Sequence, residues 1–326
     1  MVLLISRILL CILLSGSLPG NANTISSLDL SGYVDGTGAI SVQEHGDTVD
    51  PYFVLQALLL AQDNQLNISA YAKNWVEWLI TRQKPDGTFD RFCRNGPIWA
   101  PCKIADADDS QMALWLKLIE SMPAELNANP RWRKSHAAST LKLEQLIDPQ
   151  RGIYLVSPVY QLGLFMDNLE VLSYVPTSKN VTHLLLKKQL ANNIRNVFWD
   201  KKDQRYLVST QTEQKTAKRQ FYPDDIAQIF PLFYRDAPLP TERHAYYRQW
   251  MTDHRRVWLL QSREDFAWGL IAITAHKEGD RVSAQCWLRE AGQFRHTSHW
   301  IVTDEVVWQI LIRDGLVPAG KGIACL

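Results

Sequence analysis

The chain is short of the features that mark several common classes of protein. Only five cysteines occur in 326 residues, and none has a close His or Cys cluster at metal-ligand spacing, so no metal site is expected. His296 and His299 stand without a third ligand. A Gly-x-Ser-x-Gly elbow, a phosphate-cradling glycine-rich loop and a dinucleotide fingerprint are all missing, and no cofactor is expected. Net charge is nearly absent, at +1 from 35 Lys+Arg and 34 Asp+Glu. A neutral chain gives no electrostatic basis for binding nucleic acid or an anionic membrane surface. The apolar run Ile8 to Leu14 is too short, and too soon interrupted by Ser15, Gly16 and Pro19, to span a bilayer well.

That segment has the make-up of a secretory signal over residues 1–22. Arg7 supplies a basic start, the apolar run a core, and Ser15 to Ala22 a small-residue tail, with cleavage expected after Ala22. Its removal leaves residues 23–326 as one domain with 34 basic and 34 acidic residues. The product is expected to be exported, periplasmic or secreted, monomeric, and without stable membrane insertion. An oxidising compartment allows disulfides. Cys93 and Cys102 bracket a loop containing Gly96 and Pro97 and are expected to bridge, at a gain of roughly 2–3 kcal/mol for so short a loop. Cys286 and Cys325 could also pair.

What the chain has in abundance is helical pattern. Asp50-Pro51 opens a helix running to Leu60, with proline in its first turn. Leu66 to Arg82 forms another, with Ile68, Ala72, Trp75, Trp78 and Leu79 on one face. Gln83 to Phe89 then reads as a turn and a short extended piece. The densest string is Ile104-Ala105-Asp106-Ala107-Asp108-Asp109-Ser110, ahead of a helix apolar on most of its circumference. One acid there would be routine capping. Three carboxylates within four residues exceed that need, because neighbouring like charges repel.

Similar acid-headed helices recur. The strings Tyr154-Leu155-Val156-Ser157 and Tyr206-Leu207-Val208-Ser209 lie 52 residues apart, and each precedes such a helix, at Met166-Asp167 and at Pro223-Asp224-Asp225. Asp50, Asp109, Asp167 and Asp225 are separated by 59, 58 and 58 residues. Shorter units begin near Glu264-Asp265-Phe266-Ala267-Trp268 and Thr303-Asp304-Glu305. Six acid-headed apolar helices alternating with amphipathic ones predict six helical hairpins. Apolar helices need cover on all sides, so the expected fold is all-α, an (α/α)6 toroid. Its inner-helix starts would bring Asp108, Asp167 and Asp225 around one mouth.

On these residues the sequence resembles the six-hairpin glycosidases. Ala105-Asp106-Ala107-Asp108, with Ala113-Leu114 beyond, is similar to the Ser-Asp-Ala-Asp…Ala signature of family 8 endoglucanases. The resemblance implies hydrolysis of β-linked glucans and related polymers, with Asp106 contacting the sugar. It also implies a glutamate acid at the start of the first hairpin, for which Glu44-His45-Gly46 is the nearest match. Asp106-Ala107-Asp108-Asp109-Ser110 resembles as well the Asp-x-Asp-Asp-Thr-Ala motif of class II terpene cyclases, where Asp108 would be the proton donor. Those proteins usually combine two barrels, and this chain has room for one.

Glycoside hydrolysis commonly needs one protonated and one ionised carboxyl. Glu44 or Asp108 is the expected acid, and Asp109, Asp167 or Asp225 the expected base. Aromatic rings match the apolar faces of sugars, and 12 Trp and 11 Tyr supply candidates. Trp99 leads into the acidic string. Tyr160, Phe221 and Tyr222 lie in loops ahead of inner helices. The expected partner is a polysaccharide or oligosaccharide. A toroid-type polysaccharide lyase and a non-catalytic glycan-binding protein are the alternatives, the first recognised by unsaturated uronic products, the second by indifference to loss of the acids.

Overall fold

The computed structural model describes residues 27–175, 181–215 and 217–326. The signal-like segment, with its expected cleavage point after Ala22, lies outside the described residues. The described residues form an all-α chain with a few short strands. The first stretch is a run of turns and bends that ends in β1 (Thr48–Val49), which leads into α1 (Pro51–Asp63). Asp50 caps α1 by accepting from the N–H of Tyr52 at 3.0 Å, and Pro51 occupies the first turn, where a missing N–H costs nothing. Then come α2 (Ser69–Ile80), a hairpin of β2 (Asp90–Asn95) and β3 (Ile98–Ile104), α3 (Asp108–Ser121), the single turn α4 (Ala124–Asn127) and α5 (Pro130–Gln145).

The second half runs through α6 (Phe165–Tyr174), α7 (Val181–Phe198) and a two-stranded corner, β4 (Trp199–Asp200) with β5 (Arg205–Tyr206). A π turn at Phe221–Asp225 precedes α8 (Ile226–Ile229), which tightens into the 3-10 turn Phe230–Phe233. Helices α9 (Arg243–Gln261), α10 (Gly269–Lys277), α11 (Arg281–Glu290) and α12 (Val302–Arg313) complete the order.

Packing between the apolar helices runs in a cycle. α1 lies against α3, α3 against α6, α6 against the Phe230–Phe233 turn, that turn against α10, α10 against α12, and α12 against α1. The amphipathic helices sit behind them: α5 on α3, α7 on α6, α9 on α8, and α11 on α10. This explains why α3 is apolar nearly all round, for it is enclosed by α1, α5 and α6 and buries every residue from Asp109 to Leu116.

The sixth expected hairpin differs. No helix follows α12 among the described residues. The stretch before β1 backs it instead: the N–H of Asp29 donates to Gln309 Oε1 at 2.9 Å, and the N–H of Val302 to the carbonyl of Val42 at 2.8 Å. The hairpin β2–β3 is also more strand than a nearly all-helical reading allows. β1 joins it edge-on, and the Cys93–Cys102 disulfide ties its two strands. A second disulfide, Cys286–Cys325, fastens the C-terminal tail to α11. No described helix is long and apolar enough to cross a membrane.

Candidate active site at the mouth of the helix cycle

The starts of the six apolar helices surround a cavity of about 460 Å³, within the usual range for small-molecule sites. α1 contributes Asp50, Tyr52, Phe53 and Gln56, and α3 contributes Ser110 and Gln111. Asp106 and Arg91 stand at the rim beside them, and Asp167 faces in from α6. The far side is aromatic: Tyr222, Phe230, Phe266 and Trp268, with Asp265 at the approach to α10.

Arg91, on β2, is the one basic side chain in the wall among the described residues. It pairs with Asp106 and lies 3.5 Å from Asp50. The Asp106 side chain is 85% exposed, so its carboxylate remains open to a ligand despite the pairing. Burial pushes the Asp50 carboxyl up, against the opposing charge of Arg91.

Behind this rim lies an acid cluster. Asp109 and Glu170 are fully buried, and Asp167 is half-buried and lines the cavity. Neither oxygen of Asp109 has a hydrogen-bond partner, nor has Oδ2 of Asp167 or Oε2 of Glu170. Tyr52 and Tyr234 donate to the other Glu170 oxygen at 2.8 and 3.3 Å. Buried carboxyls this close cannot all ionise. Burial first, then the neighbouring acids, raises all three: Asp109 through Asp167 and Glu170, Asp167 through Asp106, and Glu170 through Asp167, up to about 8. Burial, then the nearby Asp167 carboxylate, holds the Asp109 proton well above the ordinary carboxylate range.

The aromatic side is held by an unusual backbone. Trp268 takes φ 52° and ψ 50°, a left-handed conformation that costs a non-glycine residue roughly 1–2 kcal/mol. The conformation brings its ring under Tyr222, with centroids 5.3 Å apart and planes at 30°. Its indole N–H is buried without a partner, and Tyr222 is 49% exposed. Gly269 follows because a Cβ there would stand 2.8 Å from Asp304 Oδ1, the oxygen that accepts its own N–H at 2.7 Å. Strain and an unpaired donor beside a cavity are features expected of a binding site.

The residues singled out by sequence divide into two groups. Asp106, Asp167 and Tyr222 meet in the cavity wall, with Asp109 directly behind Asp167. The other four lie outside that wall. Asp108 starts α3 but faces Lys84 and Lys142. Asp225 is held by Arg219 at 3.1 Å and His254 at 3.3 Å. Glu44 pairs with His296. Trp99 is buried, donates to Asp35 at 2.7 Å and is covered by Arg94, which leaves no open ring face. Asp108, Asp167 and Asp225 therefore do not share one groove. Arg91, Ser110, Gln111, Asp265 and Trp268 are wall residues that sequence reasoning did not select. The string Asp265-Phe266-Ala267-Trp268, an acid followed by two aromatics at a unit start, was the available signal for the last two.

Among the described residues no group of three or more His, Cys, Asp or Glu side chains is placed to hold a metal ion. No family model matches the chain, and no curated protein matches it either. Its fold is similar to that of a solved protein described as a novel alpha-amylase from Clostridium perfringens, with TM-score 0.55 and 11% identity over 88% of this chain and 95% of that one. A second solved structure, described as a D-mannose isomerase, is similar at TM-score 0.42 and 12% identity over 86% of this chain and 82% of the other. At 11% identity the first likeness shows a shared fold alone and does not reach to family 8.

Proposed function

We propose that this chain is an exported glycoside hydrolase built as an (α/α)6 toroid. The observation that carries the reading is Asp167, a half-buried residue in the cavity wall, with one oxygen unpartnered and its proton held into the neutral range by burial of the carboxyl. A carboxyl kept protonated is what departure of a sugar leaving group requires. Asp265 is the proposed ionised partner, since it has no ion-pair partner among the described residues and lies in the same wall. It would activate water or attack the anomeric carbon. Asp106, opposed by Arg91, binds a sugar hydroxyl, as the family 8 resemblance implies for that position. Tyr222 stacked on Trp268 offers an apolar ring face.

The protein of similar fold is described as an alpha-amylase, which is compatible with a carbohydrate substrate. A lyase acting on uronic acids would need a cation free to neutralise the sugar carboxylate, and the one wall arginine already faces Asp50 and Asp106. The test is release of new reducing ends from starch, β-1,4-glucan, xylan and polygalacturonate by the purified chain and by Asp167→Asn. Loss of release in the folded variant is expected. Undiminished release by Asp167→Asn, or unsaturated uronic products from the parent, would overturn the reading.

A further inference from the structure

The cavity is ringed by wall residues. Every sector of the helix cycle gives it a wall residue: Phe53, Ser110, Asp167, Phe230, Leu270 and Thr303, from α1, α3, α6, the turn after α8, α10 and α12. Its floor is crossed by a hydrogen-bonded chain. Thr303 donates to Gln56 Oε1 at 3.2 Å, Gln56 Nε2 to the Tyr52 hydroxyl at 3.2 Å, and Tyr52 to Glu170 at 2.8 Å. A ring of wall residues on every side suits entry of a chain end better than a polymer lying across it.

Two side chains in the lower wall lack partners. Ser110 Oγ and both amide atoms of Gln111 have no hydrogen bond, though each residue is only 1% exposed. An unpaired buried polar group costs about 1–3 kcal/mol, so these atoms point to a ligand rich in hydroxyls. A side-chain amide offers a donor and an acceptor together, which suits adjacent sugar hydroxyls. Arg91 already pairs with Asp106 and faces Asp50, so the described wall offers no free cation to an anionic sugar.

We infer that the site takes the end of an uncharged carbohydrate chain, with the terminal ring seated on Ser110 and Gln111, so that the enzyme trims chains from one end. This deepens the glycoside hydrolase reading and rests on it. The experiment follows reducing-end release and viscosity together on soluble starch and soluble β-1,4-glucan, and compares maltohexaose with cyclomaltohexaose, which has no end. Expected are reducing ends appearing with little loss of viscosity, one small product, and no cleavage of the cyclic sugar. Rapid loss of viscosity with a ladder of products, or cleavage of the cyclic sugar, overturns end-on binding while leaving hydrolysis standing. Failure to release reducing ends from any of these carbohydrates or from xylan overturns both. Ser110→Ala and Gln111→Ala, checked for cooperative unfolding, should each raise KM for the cleaved hexaose about tenfold with kcat little changed. An unchanged KM in both removes them from the subsite.

Discussion

Asn168 clamps Tyr154 from both sides of its peptide unit: its Oδ1 accepts from the Tyr154 N–H at 2.7 Å, and its Nδ2 donates to the Tyr154 carbonyl at 2.9 Å. Gln228 does the same to Tyr206, at 2.8 and 3.0 Å. Each amide sits on an inner helix and each tyrosine opens a Tyr-Leu-Val-Ser string, so the internal repeat is a repeat of this clamp. The valine of each string is used alike. Val156 accepts from the N–H of Asp108 at 2.8 Å, and Val208 from that of Phe165 at 2.9 Å. Each incoming loop is thereby fastened to the start of the previous inner helix, which sets the spacing of the acid-headed helices around the mouth.

Both clamping amides, Asn168 and Gln228, are buried, so removing one leaves a tyrosine N–H and carbonyl without partners. Asn168→Ala and Gln228→Ala should each destabilise the chain by about 1–3 kcal/mol. Urea unfolding followed by tryptophan fluorescence measures this. A midpoint unchanged in both variants would remove the clamp from any structural role.

Asp167→Asn should lower kcat by roughly 10²–10⁴ if Asp167 delivers the proton. Asp265→Asn should lower it as far, whereas Asp108→Asn and Asp225→Asn should leave kcat within about threefold, as expected of groups that never meet substrate. A reducing-end assay on the cleaved polymer distinguishes the four variants. Loss of activity in Asp108→Asn equal to that in Asp167→Asn would return the catalytic role to the head of α3.

The division among these four aspartates marks how far sequence reached. Spacing predicted where each inner helix begins, because acids, turns and apolar runs carry that signal locally. It did not fix the rotation of each helix about its axis. Successive residues on an α-helix point about 100° apart, so Asp108 and Asp109 in the first turn of α3 cannot face the same way, and Asp106 stands ahead of the helix altogether. At α8 the start is a π turn with Tyr222 out of helical geometry, and Asp225 turns toward His254 and Arg219. Trp99 was hidden differently: its partner Asp35 is 64 residues away, and only the fold brings them together. The left-handed backbone of Trp268 has no sequence mark, since that conformation normally announces itself through glycine.

The pH dependence of activity follows from the charge beside Asp167. Burial, then the Asp106 carboxylate, raises the Asp167 carboxyl, so its acid form persists into the neutral range and is lost as pH rises through the raised value. Asp106→Asn removes the raising charge. The alkaline limb of kcat/KM should move to lower pH in this variant. An alkaline limb that stays in place would mean that Asp167 is not the titrating acid.

Stability should fall with pH for a related reason. Glu170 is raised to about 8 by burial and by Asp167 in the folded chain, against an ordinary value of about 4.3 for an exposed glutamate. Between those limits the folded chain holds a proton that the unfolded chain has released, so rising pH favours unfolding. At roughly 1.4 kcal/mol per pH unit, the loss is on the order of several kcal/mol between about pH 4 and 8. Glu170→Gln cannot ionise and should flatten the decline in Tm over that range, as read by calorimetry. A slope equal to that of the parent would place the buried charge elsewhere.

Reduction should separate the two disulfides by the length of chain each closes. Cys93–Cys102 spans 9 residues and Cys286–Cys325 spans 39, which in the chain-entropy model corresponds to roughly 2.5 and 4 kcal/mol. Cys286→Ala with Cys325→Ala should therefore lower stability more than Cys93→Ala with Cys102→Ala. Activity should order the other way. The short bridge ties the hairpin that carries Arg91, and Arg91 holds Asp106 at the rim, whereas the long bridge lies on α11 behind the ring. The first pair of substitutions should raise KM while the second leaves it near the parental value. Equal effects on KM would detach the hairpin from the site.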